Sequence, residues 1–125
     1  MNNTLLIIED NEQNLYMMRF LLEMNGFTIL GAENGLKGIE MALKCNPQAI
    51  LLDIQLPEMD GYQVAAELKK HHQLKHVPII AVTSYAMVGD RENILAAGAT
   101  GYIEKPINPE TFVAEIMEYL PVTNT

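Results

Sequence analysis

Short apolar runs alternate with longer amphipathic stretches along this chain. Most of the runs are continuously apolar rather than alternating, which is typical of strands that are buried on both faces of a parallel sheet. The predicted strands cover residues 5–8, 28–30, 49–52, 79–82 and 101–103.

The stretches between these runs have helical spacing. Leu15, Met18 and Leu22 recur at i, i+3 and i+7, and Gly26 follows as a stop signal. The other predicted helices contain Leu36, Ile39 and Leu43 before Pro47; Val64 and Leu68 after Gly61; residues 89–97; and Phe112, Val113, Ile116, Tyr119 and Leu120 behind a start signal of Asn108 and Pro109. Five strand and helix pairs in strict alternation predict a doubly wound α/β domain with helices on both faces of the sheet.

The length of 125 residues is enough for one hydrophobic core and too short for two. We expect one domain over residues 1–121 and a frayed tail over residues 122–125. An added catalytic or DNA-binding domain is not expected, so one domain must carry the whole function.

Composition narrows the class of partner. Sixteen acidic residues against eight Lys and Arg give a net charge of -8, which argues against direct nucleic acid binding, because phosphate contacts draw on clustered basic residues. Cys45 is the single cysteine and cannot form an internal disulfide, and no apolar stretch approaches the roughly twenty residues of a membrane span. We therefore expect a cytoplasmic protein that does not insert into membranes.

Polar side chains follow four of the five predicted strands. Ligands of open α/β sheets bind beyond the carboxyl ends of the strands, so these residues are the candidates for chemistry. They are Glu9 and Asp10, then Asp53, then Thr83 and Ser84, and finally Glu104 and Lys105. We expect carboxylates, a hydroxyl and an ammonium group to meet at one edge of the sheet.

Clustered carboxylates repel one another unless a cation lies among them, and oxygen ligands favour a hard divalent ion. Magnesium is the natural choice, with manganese as the alternative, and Mg²⁺ commonly completes its shell with phosphate oxygens. Asp53 directly follows the most apolar strand and is the candidate nucleophile for an acyl phosphate, with Lys105 beside the transferred group.

Each residue also has an ordinary structural interpretation. An acidic residue such as Asp10, just before a helix, is more often a helix cap, and Lys105 before Pro106 could be a surface lysine. The combination of all these residues at one edge favours the functional interpretation.

Four segments in chain order resemble the receiver domain of response regulators in two-component signalling, and the match spans nearly the whole chain. They are LIIEDN (6–11), LDIQLPEMDG (52–61), AVTS (81–84) and YIEKP (102–106). The resemblance implies a flavodoxin-like fold of five parallel strands in the order 2-1-3-4-5 with five flanking helices.

The resemblance also implies roles for the site residues. Asp53 would be the phosphoacceptor, and Thr83 and Lys105 would contact the phosphoryl group. Magnesium would be held by Asp10, Asp53 and the backbone carbonyl of Gln55, with Glu9 acting indirectly through water. The remaining implied features are a cis bond between Lys105 and Pro106, a switch formed by Thr83 and Tyr102, and tuning of the phosphate lifetime by Gln55 and Tyr85.

Partners follow from the same resemblance. The phosphoryl group would come from a phosphohistidine of a sensor histidine kinase or a histidine phosphotransfer protein. The receiver would catalyse its own phosphorylation and slow autodephosphorylation, rather than act as a multiple-turnover enzyme. A downstream protein would bind the surface of the fourth helix, fifth strand and fifth helix, and we expect a monomer or weak dimer. Tyr102 could instead be an ordinary half-buried strand tyrosine.

Three lysines and all three histidines crowd the end of the third predicted helix. They are Lys69, Lys70, Lys75, His71, His72 and His76. A metal site is one interpretation, but a solvated basic helix end that complements the helix dipole is favoured.

Three other functions compete with a stand-alone phosphoacceptor. The chain could be a phosphorylation-independent interaction module with the same fold. Against this, it has all five polar residues that the resemblance assigns to the site, which are Glu9, Asp10, Asp53, Thr83 and Lys105. It could be a receiver fragment of a hybrid kinase or larger regulator. A haloacid dehalogenase-like phosphatase is disfavoured, because such enzymes carry a second Asp two positions after the nucleophile, where this chain has Gln55.

Overall fold

Strands and helices alternate throughout the chain, as the hydrophobic pattern predicts. The computed structural model describes residues 3–56, 59–84 and 88–120, with side chains in the last range from residue 92 onward. The described elements are β1 (Thr4–Ile8), α1 (Glu12–Glu23), β2 (Thr28–Ala32), α2 (Gly35–Cys45), β3 (Ala49–Asp53), α3 (Gly61–Lys70), β4 (Ile79–Thr83), α4 (Val88–Ala96), β5 (Gly101–Glu104) and α5 (Phe112–Tyr119), and a 3₁₀ turn (His72–Leu74) follows α3. None of the described helices combines the length and apolar character that a membrane crossing requires.

All strand pairs in the sheet are parallel, and the order is β2-β1-β3-β4-β5. This is the flavodoxin-like order, so the fold prediction is confirmed. Ile8 pairs with Leu52 and Asp53 pairs with Val82, so the ends of β1, β3 and β4 lie side by side. The sheet therefore brings the predicted polar residues to one edge.

Successive residues of each strand fill two separate cores. Leu6 and Ile8 of β1 pack on the face covered by α2 and α3, whereas Leu5 and Ile7 pack on the face covered by α1 and α5. This period of two places an apolar side chain on both faces, which explains why the strands read as continuous apolar runs.

The apolar face predicted for α2 is partly wrong. Leu36 is 67% exposed, and the buried residues of the helix are Gly35, Gly38 and Ala42. A Cβ at Gly38 would lie 2.6 Å from Cγ1 of Ile8. The helix approaches β1 through glycines because they have no side chain, and this close approach turns Leu36 towards solvent.

The predicted start of the last helix is also displaced. The signal at Asn108 and Pro109 introduces a turn, in which the Asn108 carbonyl accepts hydrogen bonds from the N–H groups of Thr111 and Phe112. The helix α5 itself begins at Phe112. The fourth helix, in contrast, lies within one residue of its predicted bounds.

Candidate functional site

Three carboxylates meet beyond the ends of β1 and β3. Oxygen atoms of Glu9, Asp10 and Asp53 all lie within 4.8 Å of one another, and this is the only such group of three metal-ligating side chains among the described residues. Glu9 is 1% and Asp53 is 3% exposed, whereas Asp10 faces solvent. The predicted convergence is therefore present in the structure.

The helix-cap interpretation of Asp10 does not hold. The N-cap of α1 is Asn11, whose Oδ1 accepts a hydrogen bond from the N–H of Asn14 at 2.9 Å. Because Asn11 occupies the capping position, the Asp10 carboxylate remains available at the edge of the sheet.

Lys105 places one positive charge among these carboxylates. Its Nζ lies 3.2 Å from Oε1 of Glu9 and 3.4 Å from Oδ2 of Asp53, and its side chain is 16% exposed. Its N–H donates to the carbonyl of Thr83 at 2.8 Å, which ties it to the end of β4. The bond from Lys105 to Pro106 is cis, as the resemblance implies. Lys105 is thus a component of the site and not a solvated surface lysine.

The electrostatics of Glu9 indicate a deficit of positive charge. Burial, a hydrogen bond to Asp53 and the negative charge of Asp53 raise the pKa of Glu9, while Lys105 and the Asn11 N–H lower it, and the net result is a rise from the ordinary value of 4.5 to about 7. Oε2 accepts the Asn11 N–H at 3.3 Å, but Oε1 receives no hydrogen bond even though Lys105 is at ion-pair distance. A buried carboxylate oxygen without a hydrogen bond, in a cluster of three carboxylates and one ammonium, fits a site for a hard divalent cation.

The backbone after β3 fixes the orientation of Asp53. The N–H of Gln55 donates to Oδ1 of Asp53 at 3.0 Å, and the N–H of Ile54 continues the sheet by donating to the Val82 carbonyl at 3.3 Å. A Cβ at Gly61 would lie 2.5 Å from Cα of Ile54 and 2.8 Å from the Asp53 carbonyl oxygen. The first residue of α3 must therefore be a glycine, without a Cβ atom, for the helix to pack directly behind the Asp53 backbone.

The predicted switch residues lie on the two neighbouring strands. Thr83 is buried at the end of β4, in register with Glu104, and Tyr102 is half-buried on β5, in register with Ala81. Tyr102 packs against the core on the α2 and α3 face. The predicted tuning residue Tyr85 lies outside the described residues, as do Pro57 and Glu58 of the phosphoacceptor segment.

The contact between Gln55 and Ser84 is not among those that the sequence predicts. The Ser84 hydroxyl donates to Oε1 of Gln55 at 2.9 Å. Both residues follow strand ends, which is the signal that could have placed them together, but no sequence pattern gives the direction of their side chains.

Two cavities lined by described residues flank the site. One of about 450 Å³ is lined by Asn14, Met17, Ser84, Lys105, Pro106 and Ile107. The other, of about 370 Å³, is lined by Glu9, Asp10, Glu12, Leu15, Arg19, Gly31, Glu33 and Lys37. One cavity therefore ends at the lysine and the other at the carboxylates. The three histidines form no ligand group within the described part of the chain.

The fold and the acidic site with its lysine define a response-regulator receiver. The family model for the response regulator receiver domain matches residues 5–117, so the chain belongs to the receiver family of two-component signalling. It is similar to the polar-differentiation response regulators DivK of Brucella anthropi and Brucella ovis, each 42% identical over 120 residues that cover 96% of this chain and 98% of the relative.

Solved structures agree with this assignment. The chemotaxis protein CheY4 of Vibrio cholerae has a TM-score of 0.92 at 26% identity, over 96% of this chain and 100% of that one. The receiver domain of the sensor histidine kinase PA1611 from Pseudomonas aeruginosa, solved with a magnesium ion coordinated in its active site cleft, has a TM-score of 0.86 at 31% identity, over 95% and 98% of the two chains.

Proposed function

We propose that this protein is a phosphoacceptor response regulator of a phosphorelay. Asp53 receives a phosphoryl group from a phosphohistidine of a sensor histidine kinase or histidine phosphotransfer protein, and Mg²⁺ or Mn²⁺ is the cofactor. The observation that carries the proposal is the position of the Asp53 carboxylate, which is 3% exposed and lies between two other carboxylates and the Lys105 ammonium group.

In the transfer step, a carboxylate oxygen of Asp53 attacks the phosphorus atom. A P–O bond forms as the P–N bond breaks. The donor imidazole carries a proton on its other ring nitrogen, so it takes the P–N electron pair and leaves as neutral imidazole. The product is an acyl phosphate on Asp53. Because the Gln55 N–H holds Oδ1, the carboxylate is oriented before the donor arrives.

The other side chains act on the charge of the transferred group. Lys105 offers an ammonium group to phosphoryl oxygens, and Thr83 offers a hydroxyl donor. Asp10, Asp53 and the Gln55 backbone carbonyl would hold the metal, with Glu9 acting through water. When bound, the metal supplies positive charge that offsets the carboxylates and the phosphoryl oxygens. The magnesium ion in the cleft of the PA1611 receiver supports this assignment.

The 450 Å³ cavity favours a protein as the phosphoryl donor. It lies between the start of α1 and the turn after β5, and its wall includes Lys105. On the α1 side, the cavity is lined by the polar Asn14 and the apolar Met17. This mixed lining suits contact with a protein surface that presents a phosphohistidine side chain.

Phosphorylation would change the protein's binding surface. The new group adds a charge of about -1.5 to -2 and strong acceptor oxygens at the ends of β3 and β4. Thr83 would move towards it and Tyr102 would turn inward, altering the surface of α4, β5 and α5 that a downstream protein binds. The protein would thus exist in an inactive and an active arrangement. Phosphorylation shifts the equilibrium between them only because the phosphoryl group interacts more favourably with the active arrangement.

We propose that residues 1–121 act as a single cytoplasmic domain, as a monomer or weak dimer, without direct nucleic acid contact. The net charge of -8 supports the last point. The tail predicted for residues 122–125 lies outside the described residues.

Incubation with acetyl phosphate and Mg²⁺, followed by intact mass measurement, tests the function. The wild type should gain one phosphoryl group, and Asp53→Asn should gain none. Asp60→Asn is the matched control, because Asp60 is an exposed N-cap of α3 and asparagine caps equally well. A wild type without adduct in either Mg²⁺ or Mn²⁺ would favour a phosphorylation-independent interaction module.

A further inference from the structure

A side-chain hydrogen bond joins the ends of β3 and β4 beside the phosphoacceptor. The Ser84 hydroxyl donates to Oε1 of Gln55 at 2.9 Å, across 29 positions of sequence. Ser84 directly follows Thr83, and Gln55 lies two residues beyond Asp53. The bond therefore connects the two segments that carry the proposed switch hydroxyl and the proposed phosphoacceptor.

Gln55 is held at two points. Its N–H donates to Oδ1 of Asp53 at 3.0 Å, and its side chain accepts from Ser84. The first contact fixes the Gln55 backbone relative to the Asp53 carboxylate. The second contact then fixes Ser84 relative to the same carboxylate.

The hydrogen bond between Ser84 and Gln55 is weak enough to break during a conformational change. Gln55 and Ser84 are both exposed, so water competes for the hydroxyl and the amide. A typical hydrogen bond in such a position changes an equilibrium by about two- to tenfold. That is enough to bias two states of similar energy and too little to lock one of them.

We propose that Ser84 is a positioning residue whose bond to Gln55 stabilises the unphosphorylated arrangement of the β4 end. This inference rests on the proposed function. When the Thr83 hydroxyl moves to a phosphoryl oxygen, the adjacent Ser84 moves with it, while the main chain of Gln55 stays attached next to Asp53. The Ser84–Gln55 bond must then break, so it opposes activation.

The bond also borders the route of the donor. Ser84 lines the 450 Å³ cavity together with Lys105. Its hydroxyl is directed to Gln55 across the end of the sheet, so the same movement that breaks the bond changes the wall of this cavity. Loss of the hydroxyl should therefore raise the population of the active arrangement even when no phosphoryl group is present.

Chemical shifts of the Thr83 and Ser84 backbone amides test this directly. Wild type without ligand and wild type with Mg²⁺ and beryllofluoride, a phosphoryl mimic, define the two end points. Without any ligand, the Thr83 amide of Ser84→Ala should move along the line towards the second end point, with a population ratio shifted about two- to tenfold. Ser84→Thr retains the hydroxyl and should restore the wild-type position.

A double-mutant cycle isolates the bond. Gln55→Ala should produce the same shift as Ser84→Ala, and the double variant should add nothing further. Phosphorylation by acetyl phosphate should accelerate by the same factor in each of these three proteins, while their resistance to urea stays close to that of the wild type.

The outcomes separate the two proposals. If the wild type binds beryllofluoride but Ser84→Ala keeps the wild-type shifts, or the two single effects simply add, the Ser84 inference is wrong and the proposed function stands. If the wild type neither binds beryllofluoride nor gains a phosphoryl group, the proposed function is wrong and this inference is wrong with it.

Discussion

At the residue scale, Glu9 is a carboxylate whose ionised form is destabilised by its surroundings. It is 1% exposed, lies next to Asp53, and has one oxygen without a hydrogen bond. Burial and the neighbouring carboxyl group raise its pKa to about 7, although Lys105 opposes the shift. A residue in this state is stabilised by a proton when no metal is bound, and by a cation when the proton leaves.

Stability should therefore depend on pH through Glu9 in the absence of divalent ions. Because the folded-state pKa of about 7 lies above the ordinary 4.5, the stabilising contribution is complete below pH 4.5 and is lost as the pH rises through 7. We expect Glu9→Gln, which mimics the protonated form, to match the wild type at about pH 4 and to exceed its free energy of unfolding by up to about 3 kcal/mol at pH 8. Urea unfolding in EDTA measures this difference.

The exposed Glu12 provides the control for this prediction. Glu12→Gln removes a carboxylate from the first turn of α1 without touching the buried cluster, and its pH profile should parallel that of the wild type. A Glu9→Gln profile that also parallels the wild type would contradict the assignment of the pH dependence to Glu9.

At the element scale, the site depends on how closely α3 packs behind β3. Gly61 begins the helix after the Asp60 N-cap, and the missing side chain leaves room for the Asp53 carbonyl and the Ile54 backbone. Backbone atoms cannot move aside as the end of a flexible side chain can. The position of the Asp53 carboxylate is thus set partly by a residue eight positions later in the chain.

Gly61→Ala should destabilise the protein by about 1–3 kcal/mol, because the new methyl group would overlap the backbone at Ile54. It should also slow phosphorylation by acetyl phosphate, since separating α3 from β3 displaces Asp53. Urea unfolding and intact mass time courses give the two measurements. Ala66→Ser, on the exposed side of α3, should change stability by less than about 0.5 kcal/mol. Equal effects of the two substitutions would show that the contact at Gly61 is unimportant.

Elements were predictable from sequence wherever hydrophobic periodicity alone decides the structure. The continuous apolar runs predicted the strands, since both faces of each strand are buried. The face of α2 was not predictable, because Gly38 contributes to packing through the absence of a side chain, which a hydrophobic pattern cannot register. Similarly, Asn108 signals a turn, and the pattern does not show how many residues separate that turn from Phe112.

For the candidate site, the sequence predicted which residues meet but not the directions of all their side chains. Strand ends predicted that Glu9, Asp10, Asp53 and Lys105 would meet, because parallel strands share one carboxyl edge. The contact between Ser84 and Gln55 was not predictable, since it depends on two side-chain rotamers in adjacent loops.

At the scale of the whole molecule, the charges are unevenly distributed. The chain carries -8 overall, yet three of its eight Lys and Arg residues and all three histidines fall within residues 69–76, after or at the end of α3. That segment lies at the amino edge of the sheet, because it leads into β4, whereas the acidic cluster lies at the carboxyl edge. A divalent cation is therefore drawn to the same edge that holds Asp53.

Magnesium should stabilise the whole domain through this site. At ten times the dissociation constant, binding to the folded state contributes about 1.4 kcal/mol, which corresponds to a rise in Tm of roughly 3–6 °C. Asp10→Asn should abolish the rise, and Asp60→Asn should retain it, with NaCl of equal ionic strength as the reference. An equal rise in Asp10→Asn would indicate that Mg²⁺ acts only by screening the net charge of -8.

Locating the phosphoryl group tests most directly whether Asp53 is the phosphoacceptor. After reaction with acetyl phosphate and Mg²⁺, borohydride reduces an acyl phosphate to an alcohol, and peptide mass mapping identifies the reduced side chain. We predict reduction at Asp53 alone, and none when acetyl phosphate or Mg²⁺ is omitted. Reduction at Glu9, Asp10 or Asp60 in place of Asp53, or no reduction in the complete reaction, would contradict the central claim that Asp53 is the phosphoacceptor.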